Sequence, residues 1–352
     1  MHIYIHIPFC TSKCPYCAFG SRMDAFKLAK NYFDALDFEI SNFIKKNKNF
    51  KISTLFIGGG TPSVVSAQYY EKIFEKLSPN FAQNAEITTE ANPNSAKPKW
   101  IEQMRKFGVN RISFGAQSFN DEKLKFLGRA HGKNEIFEAV DNAKNAGISN
   151  INLDLIYASK FDDKQNLEFE LAQFARAGVS HLSAYALTLE PGTPFFGRAE
   201  FAKDDENLAK FFFKKASELG FTQYEISNFA KNGKLCAHNV AYWSGEDYAG
   251  FGAHAVGTSG FVRYSGAGSI EEYIQNPLAK SVENLSLEDK ILEKIFLGFR
   301  SFLGVRGEIL RERELKNAQI LSAEGKLDFK NSVFYNPNFL LADEIALFVS
   351  EH

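Results

Sequence analysis

"HIPFCTSKCPYCAFG", residues 6–20, places Cys10, Cys14 and Cys17 within eight positions, and the chain holds only one other cysteine, Cys236. A β-rich run at residues 3–7 (IYIHI) leads straight into it. The thiols therefore sit on a loop leaving the end of a strand. Clustered cysteines in a reducing setting serve as metal ligands or redox groups more often than as disulfides. Structural zinc takes four protein ligands, so here it would need a distant histidine or Cys236 to complete the set. A redox pair at Cys14 and Cys17 would leave Cys10 idle. Three thiolates also suit a 4Fe-4S cluster, holding three irons and leaving the fourth open to an exogenous ligand.

The rest of the chain is ordinary in bulk. It has 352 residues, 45% hydrophobic and 24% charged, enough for one large core with an appendage or for two domains. The 35 phenylalanines read as core packing. Lysine plus arginine (41) nearly cancels aspartate plus glutamate (42), so no bulk field recruits nucleic acid or an acidic membrane surface. Met1-His2-Ile3-Tyr4 lacks the basic start and long apolar stretch of a secretory signal. No apolar run reaches the roughly 18–20 residues that cross a bilayer. These features predict a cytoplasmic location and no transmembrane segment.

Short β-rich runs recur at 54–57, 86–90, 111–114, 151–157 and 181–187, separated by helical patterns. One helix shows Phe26, Ala29, Phe33, Leu36, Ile40 and Phe43 at steps of three and four, and another starts at the capping residue Ser66. Six βα units in succession predict an α/β fold with a parallel sheet, open or curled into a barrel. The pattern weakens after about residue 225. A helix resumes at Ser286 with Ile291, Ile295, Phe299 and Phe302 on one face, and residues 327–349 read as a strand pair followed by a helix. The predicted organisation is a partial barrel over 1–228, a connecting region over 229–284 and a small α+β C-terminal domain over 285–352.

Polar residues stand near the strands' C-terminal ends, where parallel folds place their ligand sites. "GGGTP" (Gly58 to Pro62) follows the second strand, Glu90 ends the third, Gln117 follows the fourth and Asp154 lies inside the fifth. A carboxylate in an apolar strand is costly unless it is paired or faces a cavity. Together with C-x3-C-x2-C and the aromatic Tyr16, these motifs resemble the radical S-adenosylmethionine superfamily, whose fold is a partial (β/α)6 barrel. That resemblance implies a cluster held by Cys10, Cys14 and Cys17, with S-adenosylmethionine chelating the open iron and its methionine amino group bound at the glycine turn. The strings YIHIPFC, "GGGTP", "FGAQSFN", "LDLIY" and "LEPGTP" resemble, more narrowly, the coproporphyrinogen dehydrogenase group over nearly the whole chain.

Within that group, Tyr4, Tyr16, Gly59, Gly60, Thr61, Glu90, Gln117, Arg129, Asp154 and Thr188 match positions implied to contact S-adenosylmethionine. One branch oxidises coproporphyrinogen III; the other is a heme chaperone without decarboxylase chemistry. The oxidase branch has a further cysteine where this chain has Phe19, and an extension before its motif. The chaperone branch has H-N-x-x-Y-W, present here as His238-Asn239-Val240-Ala241-Tyr242-Trp243. The expected function is therefore heme binding and delivery to recipient heme proteins, such as membrane-associated respiratory enzymes. The alternative is an S-adenosylmethionine-dependent coproporphyrinogen III dehydrogenase. His238 is the candidate for heme iron, with Cys236 and His254 as rivals.

Overall fold

Ile3, Ile5 and Ile7 alternate with His2, Tyr4 and His6 along β1 (His2–Ile7). The two-residue period sends the isoleucines into the hydrophobic core and the polar side chains to the opposite, concave face. This computed structural model describes residues 1–203 and 205–351. Five more βα units follow: α1 (Ala29–Lys46), β2 (Ile52–Gly59), α2 (Glu71–Leu77), β3 (Phe81–Ala91) and α3 (Pro98–Phe107) come first. Next are β4 (Arg111–Gln117), α4 (Asp121–Phe126), α5 (Lys133–Asn145), β5 (Asn150–Tyr157), α6 (Lys164–Ala177), β6 (His181–Ala186) and α7 (Glu206–Glu218). Strands β1 to β6 pair in sequence order, all parallel.

The stretch after residue 225, weak in pattern, extends this sheet at both edges. β7 (Thr222–Gln223) and β8 (Asn228–Ala230) add antiparallel strands beyond β6. After α8 (Ala237–Trp243), β9 (Tyr248–Phe251) returns to the opposite edge and pairs parallel with β1. β10 (Val256–Ser259) and β11 (Val262–Ser265) continue outward from it, and after α9 (Ile270–Gln275) so does β12 (Ser281–Asn284), all antiparallel. The 12-stranded sheet is mostly parallel and runs from β12 to β7 without closing. Ser66 does cap, but it opens a 3-10 turn (Ala67–Tyr70) ahead of α2.

A smaller C-terminal part holds its own core around Ile295, Phe299, Phe334, Ile345 and Val349. It comprises α10 (Leu287–Phe299), β13 (Val305–Arg306), α11 (Glu312–Ala323), β14 (Asp328–Lys330), β15 (Val333–Tyr335) and α12 (Ala342–Ser350). Ser286 and Asp289 form a reciprocal capping box at the start of α10. Phe302 does not continue that helix's apolar face, contrary to the expectation from spacing. The helix stops at Phe299, and the Phe302 N–H donates instead to the Tyr224 carbonyl, leaving its ring exposed.

One buried ion network fixes the loop that later carries Arg129. Lys123 of α4 lies 2.7 Å from Asp162 and 3.6 Å from Glu170 of α6, and all three are almost fully buried. Glu170 also accepts from the Ser118 hydroxyl and, at 2.6 Å, from the Phe119 N–H. Removing one partner of such a network strands the other charges without solvent. Lys123→Met is expected to destabilise the chain by about 3–5 kcal/mol, read from the shift of a urea-unfolding midpoint. A loss below about 1 kcal/mol, the scale of a surface pair, would refute that role.

Candidate functional site

The parallel register gathers the concave-face side chains into rows. Glu90 lies beside Ser113, Ser113 beside Asn152, and Asp154 beside Ser183. They line a cavity of about 200 Å³ with Tyr4, Phe56, Arg111, Tyr185, His238 and Tyr242. Four residues singled out from sequence, Tyr4, Glu90, Asp154 and His238, therefore converge. The Asp154 carboxylate accepts from Asn152 at 2.6 Å and from Ser113 at 3.4 Å, yet burial still pushes its pKa up. Burial, reinforced by Asp154, pushes Glu90 further, to about 8. Glu90 is thus largely protonated near neutral pH and can donate as well as accept.

The cysteine loop and the glycine turn meet at the C-terminal ends of β1 and β2. The Gly60 N–H donates to the Ile7 carbonyl and the Thr61 N–H to the Phe9 carbonyl, both at 2.8 Å. A Cβ on Gly60 would stand 2.7 Å from the Phe9 oxygen, and one on Gly59 (φ 108°) 2.5 Å from the His6 ring. Only glycine fits either place. The Gly59 N–H reaches the Glu90 carboxyl at 3.1 Å, so the turn also ties the cavity to the loop. Thr61 lies 3.5 Å from the Cys10 sulfur.

Arg129 sits on the other side of that loop. Its guanidinium donates to the Cys14 sulfur at 3.2 Å, to the Asn92 side chain at 2.5 Å and to the Gly115 carbonyl at 2.9 Å. Gln117, in the left-handed region at φ 67°, ends the same strand. Tyr16 packs on Phe195, and its hydroxyl is held far from ionisation by burial. All four cysteines are free thiols. Burial pushes the Cys17 thiol up, and Cys14 and Cys10 act in the same direction, which marks the three as near neighbours. Among the described residues, no three His, Cys, Asp or Glu groups converge as ligands of a single metal ion. In a four-iron cluster each thiolate takes a different iron. The donor set, three neighbouring thiols with one already polarised by a guanidinium, fits such a cluster.

Other expected residues lie elsewhere. Thr188 follows β6 on an exposed stretch and lines neither the cavity nor the cleft beside Cys14 and Arg129. Cys236 is fully buried and its thiol is pushed up to about 12, mainly by burial, which makes it inert. His238 is 1% exposed; Thr54 holds its Nδ1 at 2.7 Å while its Nε2 has no partner. The cavity beside it is smaller than the roughly 300–1,000 Å³ of pockets for drug-sized ligands. His254, by contrast, is exposed and borders Gly20 of the cysteine loop. Asn92 and Arg111 escaped sequence reading. Asn92 lies two residues past Glu90 and bridges Thr61 to Arg129, so its place just beyond a strand end was the available signal. Arg111 stands at the start of a strand, and nothing local marked it.

Residues 4–169 match the Radical SAM superfamily. A heme chaperone HemW of Bacillus subtilis (strain 168) is 33% identical over 325 residues, covering 88% of this chain and 86% of that protein. The heme chaperone HemW of Escherichia coli (strain K12) is 34% identical over 311 residues, covering 85% and 82%. In structure, the coproporphyrinogen III oxidase HemN from Escherichia coli, a radical SAM enzyme, superposes with a TM-score of 0.82 at 22% identity. That match spans 99% of this chain and 89% of the other. Sequence identity of this extent, on the sheet and loop just described, settles the relationship: the chain belongs to the HemW family within the radical SAM superfamily.

Proposed function

We propose that this chain binds heme and hands it to recipient heme proteins, respiratory enzymes among them. The reading adds a four-iron cluster on Cys10, Cys14 and Cys17, with S-adenosylmethionine at the open iron. The observation that carries it is the identity of 33–34% with heme chaperones over 85–88% of the chain. Superfamily membership implies the cluster and S-adenosylmethionine; the thiol loop of this chain supplies a matching donor set. When bound, such a cluster offers an iron that an amino and a carboxylate group chelate.

Around that iron the chain's own groups have separate tasks. Arg129 donates to the Cys14 sulfur at 3.2 Å and supplies positive charge for a ligand carboxylate. Gly59 and Gly60 admit backbone to within contact of a ligand. Tyr4, Glu90 and Asp154 offer hydrogen-bonding groups deeper in the cavity. Heme belongs outside, because His238 has too little room beside it. His254 presents an exposed imidazole next to a loop that also exposes Phe19 (69%), Met23 (50%) and Phe26 (37%). An apolar strip with an imidazole at its edge suits a porphyrin face and its iron.

Three outcomes test this reading. Anaerobic reconstitution should give about one cluster per chain, lost in Cys10→Ala, Cys14→Ala and Cys17→Ala and kept in Cys236→Ala; a full cluster in Cys14→Ala refutes the ligation. Heme should bind near one per chain and stabilise it by roughly 2.7 kcal/mol at a free concentration 100 times Kd. His254→Ala should weaken binding and alter the absorption spectrum while His238→Ala does neither. Conversion of coproporphyrinogen III with matching consumption of S-adenosylmethionine would favour the oxidase instead.

A separate expectation concerns pH and tests the protonation of Glu90. Glu90 titrates near 8 in the fold against 4.5 ordinarily, so the folded chain holds a proton that the unfolded chain releases between those values. Its contribution to stability is whole below about 4.5 and is lost as pH rises through about 8. Unfolding midpoints of Glu90→Gln should therefore fall less than those of the unsubstituted chain across that window. Parallel curves would show that Glu90 is ionised in the fold throughout.

A further inference from the structure

A chain of hydrogen bonds crosses the sheet beneath the cavity. Glu246, just past α8 and 59% exposed in its side chain, meets His2 Nε2 at 2.9 Å. His2 Nδ1 meets the Thr54 hydroxyl at 2.9 Å, and the same hydroxyl meets His238 Nδ1 at 2.7 Å. His2 and Thr54 are register partners on β1 and β2, and α8 packs His238 over β2. The chain ends at His238 Nε2, which is buried without a partner and borders the cavity. None of these four groups is needed for the cluster or for heme as argued above.

The direction of each bond follows from its outer end. Partial burial pushes the Glu246 carboxyl up, but bonds from His2 and Ser244 outweigh it and hold it below the ordinary range. A carboxylate only accepts, so His2 Nε2 carries a proton. A ring that carries its one proton on Nε2 accepts at Nδ1, and there receives the Thr54 O–H. The Thr54 oxygen then accepts from His238 Nδ1–H, which leaves His238 Nε2 as a bare lone pair. A bare imidazole nitrogen facing a cavity is a base or a strong acceptor.

We infer that Glu246, His2, Thr54 and His238 form a one-proton relay between solvent and the barrel interior, with His238 Nε2 as the base for an O–H or N–H group of the cavity's ligand. The transfer balances without any other reactant. The ligand's proton goes to His238 Nε2, and the Nδ1 proton passes to Thr54. The Thr54 hydroxyl proton then passes to His2 Nδ1, and the His2 Nε2 proton passes to the solvent-facing Glu246 carboxylate, which becomes a carboxylic acid donating back to His2 Nε2. No electron moves. Every bond is now reversed, so His238 presents Nε2–H and can return a proton by the opposite stroke. His238 touches the ligand; Thr54 and His2 are positioning residues.

The test reads the tautomer directly. Ring-nitrogen NMR on the full-length chain, labelled with 15N at its seven histidines and without cluster, heme or S-adenosylmethionine added, assigns His238 by the signals lost in His238→Gln. A protonated Nδ1 with a bare Nε2 is expected, and Thr54→Ser should keep that pattern. Glu246→Lys, at the surface, offers donors to His2 Nε2 and should move the His238 proton to Nε2 across three hydrogen bonds. The double variant Thr54→Val with Glu246→Lys should lose that response. A protonated Nε2 in the unsubstituted chain overturns the relay. So does an unchanged pattern in Glu246→Lys, or a double variant that responds like the single one. Because no cofactor is present, any of these three failures leaves the proposed chaperone function untouched.

Discussion

Two backbone hydrogen bonds organise the molecule: Gly60 N–H to the Ile7 carbonyl and Thr61 N–H to the Phe9 carbonyl. They carry the parallel β1–β2 pairing past the strand ends and into the cysteine loop. The Cys10 N–H to the Arg22 carbonyl and the Arg22 N–H to the Pro8 carbonyl close the far side of the same loop. With them the first thiol, the glycine turn and the Glu90 carboxyl are held in one continuous hydrogen-bonded unit. The cost is a backbone approach that no side chain tolerates, which is why the turn is built from glycine.

The concave face shows the opposite economy. A parallel sheet is usually apolar on both faces, yet here one face carries Glu90, Asp154, Arg111, Ser113, Asn152 and Ser183. Partners satisfy most of them, and burial then drives the carboxyls toward their neutral forms. Arg111 Nε and His238 Nε2, both of cavity-lining residues, stay buried without partners. An unmade hydrogen bond in such a place costs about 1–3 kcal/mol, a sum that a structural core has no reason to carry. Polar groups left open toward a cavity are what a ligand site looks like before its ligand arrives.

Much of this was legible in the sequence, for identifiable reasons. Alternation along IYIHI and NLDLIY exposed both the strands and the polar residues on one face, because a period of two is a local property. The cysteine spacing was likewise local. The edge strands after residue 225 were not legible: β8 to β10 are three or four residues long, too short for alternation to register, and their pairing is decided by distant partners. Phe302 misled because helical spacing continues past Phe299, whereas a long-range bond to Tyr224 ends the helix there. The His2–Thr54–His238 contacts depend on register between β1 and β2 and on where α8 lands. No single stretch of sequence encodes either.

β1 finally explains how one strand serves two chemistries. Its concave side chains form a polar line from His2 at the start, through Tyr4, to His6 beside the cysteine loop. The Tyr4 hydroxyl lies 3.0 Å from His6 Nδ1, and His6 Nε2 lies 2.8 Å from the Gly20 carbonyl. That carbonyl only accepts, so His6 carries its proton on Nε2 and takes the Tyr4 O–H on Nδ1. Burial lowers His6 to about 4 and His238 to about 3, so both rings are neutral at ordinary pH. One neutral imidazole thus stands beside the cysteine loop and the other, from α8, beside the cavity. Along the site, two guanidiniums hold distinct stations: Arg129 at the thiols and Arg111 among the carboxyls.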